Sequence, residues 1–185
     1  MKKALGVGSL MVAGVVLLAA NLQGDEPKPA QDQGKKQATQ ADEAAVKRTR
    51  ETVQMLDNIY KQTIVLITEK YVLTEEDYAA GSAAVELFRR IGEGGSHQVR
   101  LIDATGDPYD PENVAANEFE RQGIQRLKGG EAYHEEVAVK DGKPYLRAMT
   151  AVPVVMQRCV MCHSHYEDVK AGAPIGAIVY ELPIK

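Results

Sequence analysis

The run YHEEVAVKDGKPYLRAMTAVP, from Tyr133 to Pro153, decides the fold. Tyr133 to Val139 alternates with period two, Asp141-Gly142 follows, and Pro144 to Pro153 returns. Asp-Gly between two such runs signals a β-hairpin, because its tight turn needs positive φ at both central residues. Leading helices, then strands arranged mainly as hairpins, predict an α+β domain with an antiparallel sheet.

Downstream of the hairpin comes Cys159-Val160-Met161-Cys162-His163, a C-x-x-C-H run. This is the attachment signature of c-type haem. Two thiols three positions apart can each take one vinyl group of a porphyrin as a thioether, and the next histidine can place a ring nitrogen on the iron. The chain has 2 cysteines, both in this run, so the reading predicts one covalent haem and no disulfide. A redox dithiol would call for a thioredoxin-like context. A structural zinc site needs about four N or S ligands. His97, His134 and His165 could contribute to one, but there is no second C-x-x-C and no H-x₃₋₅-H run. Ile175 to Leu182 supplies a last strand.

Upstream of the hairpin, apolar residues recur at Val46, Val53, Leu56, Tyr60, Ile64, Ile67 and Tyr71, predicting one long amphipathic helix from Glu43 to Tyr71. Such a helix is longer than a small core needs, so its first turns are expected to project or to pair with a second copy, a homodimer through Val46–Tyr71. Thr74, with Asp77 three positions on, predicts the cap of a second helix running from Ala79 to Ile91 and stopping at Gly92-Glu93-Gly94-Gly95. His97 to Asp103 reads as a strand. Asp110-Pro111 is expected to open a helix carrying Val114, Phe119, Ile124 and Leu127, ended by Gly129-Gly130.

The N-terminus fits an exported protein. Met1-Lys2-Lys3 precedes an apolar stretch from Ala4 to Leu22, the shape of a secretory signal. That stretch is also near the minimum length of a membrane span, so residues 1–24 are expected to be a signal peptide or an N-terminal anchor. No cysteine follows for a lipid anchor. Residues 25–42 (DEPKPAQDQGKKQATQAD) carry no aromatic or branched aliphatic side chain and read as a disordered linker. The domain is expected over 43–185, on the periplasmic or otherwise extracytoplasmic side. Removing Lys2 and Lys3 with the leader takes the formal charge from −4 to −6, which gives no encouragement to nucleic-acid binding.

Four stretches then carry a resemblance: Gly142 to Arg147, Ala151 to Val154, Cys159 to His163, and Gly176 to Tyr180, with Asp110 to Asn113 and Phe119-Glu120 upstream. Together, over roughly Ile59 to Pro183, the chain resembles a bacterial family of single-haem c-type domains with a PAS-like fold. Its members occur alone after an export signal, or as the extracytoplasmic input of sensor kinases and chemotaxis receptors. The resemblance implies a PAS-like antiparallel sheet with one haem c, held by Cys159 and Cys162 with His163 as the proximal iron ligand. It also implies a sensing or electron-transfer role through a redox or signalling partner protein.

The distal ligand stays open between His97, His134, His165, Met55, Met149, Met156 and a vacant position. His97 leads these, on a strand directly after a glycine-rich turn; His165, two residues past His163, would struggle to reach the opposite face. Arg100 and Arg147 read either as partners for haem propionates or as solvated strand-edge residues, and the second reading is preferred. An enzyme, such as a peroxidase, stands behind carrier and sensor because no catalytic constellation accompanies the motif. His134-Glu135-Glu136 on an alternating strand reads as surface charge, and there is no phosphate loop, nucleophile elbow or H-E-x-x-H.

Overall fold

The structure, a computed structural model, describes residues 41–161, 163–170 and 172–185. The leader (1–24), all but the last two residues of the expected linker (25–42), and Cys162 lie outside the described residues. Everything below concerns the unit Asp32–Lys185.

The chain folds as an α+β domain around one antiparallel sheet, with the expected long N-terminal helix. In order, the elements are α1 (Glu43–Tyr71), α2 (Ala80–Glu93), β1 (Gln98–Asp103), α3 (Glu118–Lys128), β2 (Tyr133–Lys140), β3 (Lys143–Pro153), a single turn α4 (Arg158–Met161), a 3₁₀ turn (Ser164–Asp168) and β4 (Pro174–Pro183). The sheet order is β1-β4-β3-β2. The hairpin forms as expected, with Asp141 at φ 52° and Gly142 at φ 72°, and Val139 pairs with Pro144.

Each face of the sheet carries its own core. Ile178, Tyr180 and Leu182 of β4 join Leu146, Ala148 and Val99 beneath α1 and α2, together with Val53, Tyr60 and Phe88. Ala177 and Val179 of β4 join Ile102 and Met149 beneath α3, with Phe119 and Leu127. β4 is covered on both sides, which is why PIGAIVYEL is nearly all apolar instead of alternating.

The first turns of α1 lie on the sheet instead of projecting. Ala45 and Val53 are buried, Arg48 donates to the Lys185 carbonyl, and Arg50 pairs with Glu135. The reason is a match of lengths: the 29 residues of α1 span about 43 Å and the 11 of β3 about 36 Å, so the helix runs along the strands. Asp57 pins it at mid-length. Its Oδ1 accepts from Thr150 Oγ1 (2.5 Å) and Tyr180 OH (2.9 Å), and its Oδ2 from Lys61 Nζ (3.0 Å). Buried Thr49 and Thr68 turn their hydroxyls back onto the Ala45 and Ile64 carbonyls, so neither is left as an orphan donor.

Two helix starts differ from expectation. Thr74 does not cap α2: Asp77 Oδ2 instead takes the Leu73 and Thr74 amides, 2.8 Å each, closing a turn of its own before α2 begins at Ala80. Asp110 likewise closes a local turn, accepting from the amide of Glu112 with its side chain and from that of Asn113 with its carbonyl. α3 begins only at Glu118, where Asn117 Oδ1 takes the Glu120 amide (3.1 Å) and Glu120 Oε2 takes the Ala116 amide (2.6 Å).

Candidate functional site

β3 leaves the sheet at Pro153 and β4 returns at Pro174; the two prolines are register partners, so the connection 154–173 is closed at its base. The C-x-x-C-H run lies in that connection. Its first half is one helical turn, with the Cys159 amide on the Met156 carbonyl (3.0 Å) and the His163 amide on the Val160 carbonyl (3.1 Å). Val160 is buried and anchors the turn. Arg158 docks it onto α1, donating to the carbonyls of Thr68 (3.4 Å) and Glu69. A cation on the last carbonyls of a helix meets both their unmade hydrogen bonds and the negative end of the dipole.

His163 is half-buried among aromatic rings. Tyr166 stacks on it with centroids 4.6 Å apart and planes 17° from parallel. Tyr109 and His165 meet it edge-on at 5.8 Å each, at 81° and 90°. Burial lowers the imidazole pKa below its ordinary value, nearby His165 lowers it further, and Asp103 opposes both. The ring is therefore neutral at pH 7, the state in which histidine ligates metals. Burial, with Asp103 next, pushes the Tyr166 phenol up to about 12, so it too is uncharged. Cys159 is a half-buried thiol on the same turn.

Beside these rings lies a cavity of about 350 Å³, lined by Thr105 and Asp107 after β1, Lys128 at the end of α3, and His165, Asp168 and Val169. His165 Nε2 is buried with no hydrogen-bond partner among the described residues.

The remaining candidates are placed elsewhere. His97 sits just before β1, whereas Asp103, which acts on His163, ends that strand about 20 Å further along. Both nitrogens of His97 are engaged, Nε2 with Tyr60 OH and Nδ1 with Ser96 Oγ, at 2.9 Å each. His134 stacks on Phe119 at 4.9 Å, and Met149, its register partner, is fully buried. Met55 faces outward from α1. Met156 lies in the motif's own connection.

Arg100, on the edge strand β1 and partly exposed, and Arg147, inside the sheet, both have partners within the protein. Arg100 donates to the Val114 carbonyl (2.6 Å) and pairs with Glu120 (3.5 Å). Arg147 donates to Asn117 Oδ1 (3.0 Å), pairs with Glu136 (2.9 Å) and lies 4.4 Å over the Phe119 ring. Together they clamp the start of α3. Sequence reasoning missed Tyr109, Tyr166 and Asp103. Tyr166, three residues past His163, was within reach of a local reading; nothing in the sequence links Tyr109 or Asp103 to His163.

Among the described residues no group of three or more His, Cys, Asp or Glu side chains gathers to hold a bare ion, and no helix is long and apolar enough to cross a membrane. A family model, Tll0287-like, matches residues 31–178. The chain belongs to the Tll0287-like family. The matched stretch runs from before α1 into β4 and takes in the whole of the C-x-x-C-H connection. A comparison with curated proteins finds no match.

Proposed function

We propose that this chain is an exported single-haem c-type protein with a PAS-like domain, acting in electron transfer or in haem-based redox or gas sensing. The observation that carries the reading is the closed β3–β4 connection, which presents a thiol and a neutral imidazole on successive turns beside an aromatic wall and a cavity. The residues fit the group. Cys159 and Cys162 would hold haem c, with His163 as proximal ligand. When bound, haem c supplies one-electron chemistry and, at an open axial position, binding of a diatomic gas.

The protein's own part is to hold and shield. Arg158 and Val160 fix the attachment turn on α1, burial keeps His163 unprotonated, and the surrounding rings limit water at its face. The expected output is a redox or signalling partner protein, on the extracytoplasmic side, with residues 1–24 as leader or tether. A homodimer through the Val46–Tyr71 helix would meet on Met55, Ile59 and Leu66, each at least half exposed, because the inner stripe is taken up by the sheet. Sedimentation over a concentration series tests it, and a monomer throughout removes it.

The haem reading is tested on protein matured by a haem-c assembly system. Covalent haem is expected on a denaturing gel, and is expected to vanish in the Cys159→Ser/Cys162→Ser variant; its survival there overturns the reading. A low-spin spectrum unmoved by carbon monoxide favours the carrier. A ferrous form that takes up carbon monoxide favours the sensor or, behind it, a peroxidase-like enzyme.

A further inference from the structure

We propose that Tyr166 and Tyr109 are positioning residues that fix the plane of the His163 imidazole, and with it the electronic asymmetry at an iron that His163 ligates. The inference rests on the c-type haem reading. An imidazole can turn about its bond to Cβ, and neighbours that lock that rotation orient a metal ligand as much as its own backbone does. Tyr166 lies nearly parallel to one face of the His163 ring, while Tyr109 and His165 stand nearly perpendicular to it. A turned imidazole would leave the stack with the first and collide with the others.

Both tyrosines are themselves held. The Tyr166 amide donates to the His163 carbonyl (2.9 Å) and its carbonyl accepts from Val169 (3.2 Å), so ring and partner share one turn. Tyr109 rides a loop whose ends are tied, the Asp103 amide donating to the Asn113 carbonyl at 2.7 Å. The Asp103 carboxylate takes the Thr105 hydroxyl (2.7 Å) and the Gly106 amide (2.6 Å), stiffening the same loop. Tyr109 is 81% exposed and belongs to neither core. Its ring is therefore not placed to fill the interior; the His163 edge is the aromatic contact it makes.

The test uses haem-loaded protein and reads the ferric electron paramagnetic resonance spectrum and the reduction potential of the parent and of Tyr166→Phe, Tyr166→Leu and Tyr109→Ala. The parent and Tyr166→Phe are expected to share one narrow set of g-values, because phenylalanine keeps the stack. Tyr166→Leu and Tyr109→Ala are expected to lose it to a broadened or multiple set, with a shifted potential, while covalent haem on a denaturing gel is unchanged. Tyr109→Ala removes an exposed ring and so keeps the test open should Tyr166→Leu fold poorly. Parent g-values and potential in Tyr109→Ala, with haem attached, overturn the inference and leave the haem reading standing. A parent without covalent haem overturns both.

Discussion

His163, His97 and His134 all ionise less readily than a free imidazole, and burial is the main cause in each. Their folded pKa values lie below the unfolded one, so below about pH 6.5 the unfolded chain takes up protons that the folded chain does not. Stability therefore falls as the pH drops beneath that value, and these groups add no slope above it. His97 is the one to test, since it is remote from the motif. His97→Gln is expected to be less stable than the parent at neutral pH yet to lose less on going from about pH 7.5 to about 5.5, read as urea midpoints. An equal loss in both proteins counts against it. At the site, the haem reading predicts that His163→Ala keeps covalent haem while changing the spin state, since thioethers would not need the imidazole. An unchanged absorption spectrum removes His163 as a ligand.

Between elements, single polar residues carry the docking. Asp57 joins α1 to β3 and β4, and its partners Thr150 and Tyr180 are buried. Asp57→Ala would strand both hydroxyls, and a loss of about 2–4 kcal/mol in unfolding free energy is expected, since each buried orphan costs about 1–3 kcal/mol. A loss under about 0.5 kcal/mol, the scale of a neutral surface change, would show that water replaces the carboxylate. α3 meets the sheet at Gly123, where an added Cβ would lie 2.1 Å from Met149 Sδ. Alanine favours helices over glycine, yet Gly123→Ala is expected to destabilise by about 1–3 kcal/mol, because the fully buried Met149 side chain must repack to admit the methyl group. A raised melting temperature would overturn that. Arg158→Ala is expected to cost only about 1 kcal/mol by denaturation, the scale of a cation at one helix end.

Across the whole molecule, the sheet order puts the two ends of the β3–β4 connection side by side and stacks the end of β1 against them. That arrangement gathers Asp103 and Tyr109 around His163 and Asp107 beside His165, although the sequence separates them widely. The same topology sends His97 to the opposite end of β1. Under the haem reading, His97→Gln is expected to leave the absorption spectrum unchanged, because Tyr60 and Ser96 already engage both His97 nitrogens; a switch to high spin would make His97 the distal ligand.

The sequence by itself determined what is encoded within a turn's reach. The Asp141-Gly142 turn, the extents of α1 and β4, and the glycine end of α3 follow from local backbone preference and apolar period. Tertiary structure decided whatever depends on register and on competition between partners. Asp77 and Asp110 carry the chemistry of helix caps yet close turns of their own, because nearby amides are satisfied at less entropic cost than a helix start. Arg100 and Arg147 read as free cations until the start of α3 lands on them. Tyr166 and His165 reach His163 locally, but Tyr109 meets it through the pairing of β1 with β4, and pairing between distant strands is a property of the folded chain, which no local window of residues contains.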